Sequence, residues 1–417
     1  MDKTGYRILM FLDRTYPCDE AMMETVYTRL LPKRGYLINW IMRRGPSAPI
    51  QSEADWNGTP VHLLPNHKPS LWTRPLTWMS RVRQSYKIAE KVGAQQFVDI
   101  IQVRNDLLSA YVALMLKKQW GIPFVFQLSF PTTEAAQWQP GDISEVNRVK
   151  RKVGAKIKQM LQWWVLRQAD LVLAISDWMR AELIARGLPA DKVVSFPMGV
   201  DTDIRPENYD RLVARLDLGL GDSPTVIYFG TMARLRRLEF LLDVMVQVLA
   251  EVPTTKLLLV GSADNEEEYQ WLRNESTRRG LDQAIRFVGT VPRARMPFYL
   301  SAADVSVAPI PPIPIYTISS PTKVLESLGM AVPVVANSEI PDQFKVITES
   351  GGGECVPYNI PAFTEAVVRF LKDSSMAQLA GQRGREYVVR ERSYSKLADD
   401  INARYSKLIA TNQRCLS

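Results

Sequence analysis

Short apolar runs punctuate the chain, each followed by a stretch in which apolar residues recur at helical spacing. Such runs read as strands buried on both faces, and the stretches between them as the helices that cover those faces. The first run, Tyr6–Leu12, precedes a helical pattern over Ala21–Leu31 that stops before Pro32. Further runs follow at Tyr36–Ile41, Val61–Leu64, Phe97–Val103, Pro123–Leu128 and Leu171–Ile175. A second series begins after the polar segment Asp203–Ser223, with runs at Val226–Phe229, Lys256–Val260, Ile285–Val288, Val305–Ala308 and Val332–Ala336. This beat predicts an α/β protein with two Rossmann-like parallel sheets, ligands meeting the carboxyl ends of the strands. Gly351-Gly352-Gly353 reads as a helix-terminating turn, and a last helix is expected over Ser393–Leu408. These features divide the chain at 1–203, 204–390 and 391–417.

A length of 417 residues suits two α/β domains of roughly 200 residues each better than one core. With 46% hydrophobic and 23% charged residues the chain is globular rather than disordered. The net charge of +8 points to an anionic partner: a nucleotide, a nucleic acid or a membrane surface. Cys18, Cys355 and Cys415 are scattered, lack metal-ligand spacing and fit free thiols in a reducing compartment. The opening apolar run ends at Asp13, too early for a signal peptide, and no run approaches the eighteen or so residues of a membrane span. A cytoplasmic protein is expected. No Gly-x-Gly-x-x-Gly follows a strand and no Gly-x-x-x-x-Gly-Lys-[Ser/Thr] occurs, which lowers dehydrogenase and P-loop readings.

The segment Ser319–Ala336 carries the most chemistry. A polar loop opens a helix and a buried strand follows, so backbone N–H groups and the positive helix end would face an anion, with Glu326 one turn in. Ser-Pro is also an ordinary helix opening and Glu an ordinary first-turn residue, so the segment alone fits a plain capped crossover equally well.

Four blocks decide between these: FPMGVDTDIRP (196–206), VIYFGTMARLRRLEFLLD (226–243), IRFVGTVPRARMPFYLSAADVSVAP (285–309) and SPTKVLESLGMAVPVVAN (320–337). In their order and wording the chain resembles a retaining glycosyltransferase of family 4, over about a third of its length. The resemblance implies the GT-B fold, two Rossmann-like domains facing each other across a cleft, with acceptor in the first and nucleotide-sugar donor in the second. The C-terminal segment 391–417 would return to the first domain. Aligned from Gly230, the cation expected on the diphosphate is Arg237; Thr231 stands where the family often has arginine, and Arg234 would substitute. Glu326 matches the ribose-binding glutamate, while the partner glutamate eight residues earlier is replaced by Ile318. Ser320, Pro321, Thr322, Lys323 and Val324 are expected around the phosphates, and backbone groups near Gly289 and Val291 around the base. Arg237, Lys323 and Glu326 would carry the chemistry. No metal or cofactor is required, since cations and helix dipole take that part.

The first domain is less legible. Family members place a histidine after the Pro123–Leu128 type of strand, where this chain reads Phe126-Gln127-Leu128-Ser129-Phe130-Pro131. The two histidines, His62 and His67, are read as structural or exposed. Asp13, Tyr16 and Asp19 after the first strand, and Asp99, Arg104, Asn105 and Asp106 around another, are the acceptor-side candidates. Two basic stretches interleave aromatics. In one, Val146, Val149, Val153, Ile157, Met160, Leu161 and Trp164 share helical spacing while Arg148, Lys150, Arg151, Lys152, Lys156 and Lys158 fill the rest. The other, Lys68 to Lys91, holds Trp72, Arg74, Trp78, Arg81, Arg83, Tyr86 and Lys87. An apolar stripe is more often core, but a cationic polar face is typical of helices on anionic lipid. The expectation is therefore a peripheral enzyme on the inner face of the cell membrane, with a lipid-linked saccharide acceptor and no nucleic-acid partner. The rivals are a non-catalytic nucleotide-sugar-binding or scaffold subunit and a GT-B nucleotide-sugar epimerase.

Overall fold

The apolar runs become the strands of two sheets, each in its own compact unit. The computed structural model describes residues 5–65, 74–129, 145–263 and 265–416. His67, Lys68, Trp72, Phe130 and Pro131 lie outside these, as do the side chains of Arg74, residues 145–151 and Cys415. The first unit comprises Met1–Gln137, Ile143–Pro197 and Tyr394–Ser417; the second takes Met198–Ser393.

The first unit holds β1 (Tyr6–Tyr16), β2 (Tyr36–Arg44), β3 (Glu53–Trp56), β4 (Thr59–Leu64), β5 (Ile100–Arg104), β6 (Phe124–Leu128), β7 (Leu171–Ala174) and β8 (Val193–Ser195). They form one sheet in the order β3-β4-β2-β1-β5-β6-β7-β8, parallel except for the edge pair β3 and β4. The chain builds outward from β1 to β2 and β4, then returns to place β5 on the other side of β1. That reversal makes the carboxyl ends of β1 and β5 a topological switch point. β1 is longer than its apolar run because β2 continues to Arg44 and pairs Thr15 with Arg43 and Tyr16 with Arg44, after a register shift beyond Phe11. Asp13 and Tyr16 thus lie in the strand, not in a loop after it.

The helix expected over Ala21–Leu31 is a wide-turn π-helix at Met23–Leu30. The C-terminal helix, Tyr394–Leu416, packs against it through polar atoms buried among rings. Tyr405 and Tyr27 set their hydroxyls 3.2 Å apart, and Gln102 Nε2 donates to Tyr27 at 2.8 Å and to Gln127 Oε1 at 3.0 Å. Each group in this network has a partner, which is the condition under which buried polar atoms do not destabilise a core.

The second unit holds β9 (Thr225–Phe229), β10 (Lys256–Val260), β11 (Ile285–Gly289), β12 (Val305–Ala308), β13 (Val334–Asn337) and β14 (Gly353–Val356), all parallel, in the order β11-β10-β9-β12-β13-β14. Alternation along the strands fills both faces. Val226, Tyr228, Leu257 and Leu259 meet the helices Glu239–Glu251 and Ile360–Lys372, while Ile227, Phe229, Leu258 and Val260 meet Arg211–Asp217 and Met296–Ser301. The switch point falls between β9 and β12. β14 occupies part of the stretch read as a turn: Gly351 does end the helix Pro341–Ser350 in the left-handed region, but Gly353 starts a strand. A Cβ on Gly353 would collide with the carbonyl of Val334, so glycine there is a requirement of strand packing.

Candidate functional site

The loops leaving β9 and β12 supply the cations of the second unit. After β9 the chain turns at Gly230 (φ +120°), runs through a single 3-10 turn at Arg234–Arg236 and reaches Arg237 in the left-handed region (φ 49°, ψ 48°). A non-glycine residue held there stores roughly 1 kcal/mol of strain. After β12 the chain leads to the helix Thr322–Gly329, whose N-cap is Pro321 and has no side-chain capping bond. The helices at Asp177–Ala185, Arg211–Asp217, Glu266–Arg278 and Ile360–Lys372 each have an Ser, Asp or Asn oxygen accepting from their first turn. The opening N–H groups of Thr322–Gly329 keep their capacity for an anion.

Lys323, in that first turn, places Nζ 3.9 Å from the centroid of the Tyr228 ring. A Cβ on Gly230 would stand 3.6 Å from the same Nζ, so the glycine leaves the space that the ammonium occupies. Burial, and then the like charge of Arg236, hold the Lys323 pKa well below the ordinary lysine value. The ring face beneath offsets part of that penalty. Tyr228 itself is buried, its phenol pushed up to about 12, and it donates to the Thr231 carbonyl at 2.9 Å. Thr231 therefore contributes its backbone. Among the described residues none of the side chains of Arg234, Arg236, Arg237 and Lys323 pairs with a carboxylate, although the Arg234 backbone N–H donates to Glu268 Oε2 at 3.3 Å. Arg236 lies 4.4 Å from the centroid of Tyr316 and Arg234 lies 4.6 Å from that of Trp271, while the side chain of Arg237 is exposed. The cation felt by Lys323 is thus Arg236, which the motif alignment passed over in favour of Arg237.

Glu326 is one turn deeper and takes Arg293 Nε at 3.3 Å. Both stand at a small cleft of about 30 Å³ lined also by Val200, Ile204, Met296, Leu300 and Met330. Arg293 lies in the block 285–309, where no spacing ties it to Glu326, since it comes from a separate loop after β11. At the end of β11 Gly289 has φ +82° and accepts from Gly261 N at 2.8 Å, and Val291 in the loop packs onto the core. Ile318, in place of the expected glutamate, ends the short helix Pro314–Thr317.

Other expected donor contacts are spent elsewhere. Ser320 is buried; its Oγ accepts from Met198 N at 3.2 Å and donates to Asp342 Oδ2 at 2.6 Å. Asp342 in turn pairs with buried Arg392. Ser320 thus forms a strut that ties Met198 to the helix Pro341–Ser350. Val324 is core and Pro321 is buried, leaving Thr322 half-buried beside Lys323.

In the first unit the acceptor-side candidates part company. Asp13 is half-buried with Arg43 Nη2 3.5 Å away, and burial followed by the Asp106 charge raises its pKa against the pull of Arg43, Arg81 and Arg14. Asp19 is exposed. Tyr16 donates to the Asp55 carbonyl at 2.7 Å. Arg104 is buried, forked onto Glu20 with Nη1 to Oε2 at 2.6 Å, and gives Nε to Ser129 Oγ at 2.8 Å. Asn105 turns the chain with φ +57° and accepts from Ser129 N at 2.9 Å. Asp99 accepts from Arg7 N, and Asp106 caps the helix Leu107–Trp120 while pairing with Arg81. Tyr16, Arg104 and Asn105 therefore build the switch point, and Asp13 with Arg43 and Arg81 forms its polar surface. The Nε atoms of Arg43 and Arg81 are buried without a hydrogen-bond partner among the described residues. Burial lowers the pKa of His62, which sits in β4. Among the described residues no three His, Cys, Asp or Glu side chains are grouped to hold a metal.

Residues 223–373 match the family "Glycosyl transferases group 1" and residues 5–199 match "Glycosyl transferase 4-like domain", which together take in most of the chain. A GDP-mannose-dependent alpha-(1-6)-phosphatidylinositol monomannoside mannosyltransferase of Mycolicibacterium smegmatis is 26% identical over 53% of this chain and 58% of its own. The O-antigen chain mannosyltransferase B of Escherichia coli is 26% identical over 52% and 56%. The match spans little more than half the length of these relatives. In fold, sucrose-phosphate synthase from Thermosynechococcus elongatus superimposes with a TM-score of 0.75 at 21% identity, covering 97% of this chain and all of that one. The chain therefore belongs to the glycosyltransferases of the GT-B fold.

Proposed function

We propose that the protein transfers a hexose from a nucleotide-diphosphate sugar to a lipid-linked saccharide acceptor, with retention of configuration, in the assembly of a cell-surface polysaccharide. The second unit holds the donor and the first the acceptor. The observation that carries this is Lys323 held over the Tyr228 ring beside Gly230, under the like charge of Arg236, at an uncapped helix N-terminus and with no carboxylate partner for either cation among the described residues. Like charges held together in a partly buried place favour an anion between them, and a departing diphosphate supplies it. Arg237 and Thr322 extend that cradle. Glu326, already oriented by Arg293, accepts from the ribose hydroxyls, and backbone groups near Gly289 and Val291 meet the base.

In such a site the bond from the anomeric carbon to the diphosphate breaks while cations neutralise the leaving oxygen. The acceptor hydroxyl attacks from the same face, and its proton passes to that phosphate oxygen. Retention then needs no histidine, which suits the sequence after β6. Asp13 and Asp19 orient the acceptor from the first unit. The activities of the mannosyltransferase relatives favour a sugar nucleotide as donor and an envelope glycan as product. We place the enzyme in the cytoplasm, at the inner face of the membrane; among the described residues no helix is long and apolar enough to cross a bilayer.

The test is transfer from a panel of labelled sugar nucleotides to a lipid extract of the producing cell, with the anomeric configuration of the product read by NMR. A product of inverted configuration would overturn the mechanism. One observation, Ile318 at the place of the family's donor-sugar glutamate, favours a second reading as a nucleotide-sugar-binding subunit without catalysis. Slow donor hydrolysis in the absence of acceptor separates the two, since a binding subunit gives none.

A further inference from the structure

The connections β4 to β5, β5 to β6 and β6 to β7 all step in the same direction along the first sheet. Right-handed crossovers put helices that step the same way on one side, so Arg74–Gln95, Leu107–Trp120 and Glu145–Gln168 form a single layer. The middle helix packs against both others. The apolar stripe of Glu145–Gln168 does not face the sheet. Ala155, Gln162, Val165 and Leu166 are buried, while Val153, Ile157, Met160, Leu161 and Trp164 stand between 47% and 65% exposed. On the first helix Leu76 and Met79 are 68% and 70% exposed, with Trp78 close behind, and the middle helix adds Tyr111 and Met115. One outer surface thus shows large apolar side chains from three adjacent helices, more than an isolated monomer ordinarily leaves in water.

The charge around it has one sign. Lys152, Lys156 and Lys158, and on the first helix Arg83 and Lys87, are exposed. The sequence has no Asp or Glu from Val146 to Ala169, nor from Arg74 to Ala89. A second copy docked here would set cationic helix against cationic helix, whereas an anionic surface with an apolar interior matches both properties at once. We infer that the outer faces of these three helices are the docking surface for an anionic lipid bilayer, with Met160, Leu161, Trp164 and Met79 entering the acyl boundary and the lysines meeting the headgroups. This gives the lipid-linked acceptor of the proposed function its surface, yet it does not depend on transfer occurring.

The experiment is vesicle flotation of the full chain, without donor or acceptor, so that its failure and a failure of the transfer reading are distinguishable. Vesicles are phosphatidylcholine alone or mixed with phosphatidylglycerol. The protein floats with the mixed vesicles and its tryptophan emission moves to the blue. Paired Met160→Glu and Trp164→Glu substitutions lower the partition coefficient about tenfold or more, with the far-UV circular dichroism unchanged. Lys152→Gln, Lys156→Gln and Lys158→Gln together remove the preference for phosphatidylglycerol. Wild-type protein that stays unbound, or folded glutamate variants that bind as well as wild type, would overturn the inference. So would a dimer in light scattering that Met160→Glu dissociates, since the occupant would then be a second copy.

Discussion

Lys323 lays its ammonium 3.9 Å from the centre of the Tyr228 ring, in space that Gly230 leaves open, and the like charge of Arg236 acts on it. A cation held in this way destabilises the empty site and is useful only when an anion arrives. Lys323→Met should therefore raise the thermal stability of the free protein, by about 1 kcal/mol, as removal of strained functional groups commonly does. It should also weaken nucleoside diphosphate binding by about 2 kcal/mol, roughly thirtyfold in Kd. Calorimetric melting and titration of the same samples check both signs.

The same residue gives binding a pH dependence. Its pKa is low in the folded, empty site and returns to the ordinary 10.5 on unfolding, so the unfolded chain binds more protons between those values. Stability of the free protein should rise with pH across that window. A bound diphosphate restores the ammonium, so binding takes up a proton and affinity should fall as pH rises through the lowered pKa. Titration calorimetry in buffers of different ionisation enthalpy measures the uptake; a pH-independent enthalpy and Kd in wild type would contradict it.

Gly261→Ala and Gly230→Ala separate strain from collision. Both glycines have positive φ, +133° and +120°. A Cβ on Gly261 would strike the carbonyl of Gly230, whereas one on Gly230 meets Lys323 Nζ at an ordinary 3.6 Å. Gly230→Ala should cost about 1–2 kcal/mol of stability and Gly261→Ala distinctly more, as read by denaturant unfolding.

The strut under the donor helix predicts a split between folding and binding. Asp342→Ala strands the buried Arg392 charge and should destabilise by about 3–5 kcal/mol. Ser320→Ala removes a hydroxyl that serves Met198 and Asp342, costing about 1–2 kcal/mol, and should leave the Kd for a nucleoside diphosphate within about twofold at a temperature where the variant is folded. A large loss of affinity in Ser320→Ala would restore it as a phosphate contact.

Much of the fold was legible because strands buried on both faces leave continuous apolar runs, and β10 and β12 coincide with theirs. β3 escaped because Glu53–Trp56 is a polar edge strand, β8 because it has only three residues, and β14 because its first residue is a glycine chosen for close packing against Val334. In the site, Lys323 and Glu326 were readable since one helix carries both at a fixed offset. Arg236 was readable as one of three loop cations, with Arg234 and Arg237, but not as the one that acts on Lys323, and Arg293 was not readable beside Glu326, because separate loops set these places. The bonds of Ser320 were hidden for a related reason: its partners are 122 and 22 residues distant in the chain. The apolar stripe from Val153 to Trp164 was readable as a pattern, but only the packing of Ala155, Val165 and Leu166 reveals that it faces outward.

The central claim is a sugar-nucleotide site built on Lys323, Arg236 and Glu326. Its most direct test is titration calorimetry of a panel of sugar nucleotides and free nucleotides against wild type, Glu326→Ala and Lys323→Met. The account predicts that one base family binds, that Glu326→Ala weakens diphosphates and nucleosides of that family alike, and that Lys323→Met weakens only the phosphorylated ligands. Absence of binding by every sugar nucleotide to folded wild-type protein, or binding untouched by either substitution, would contradict it.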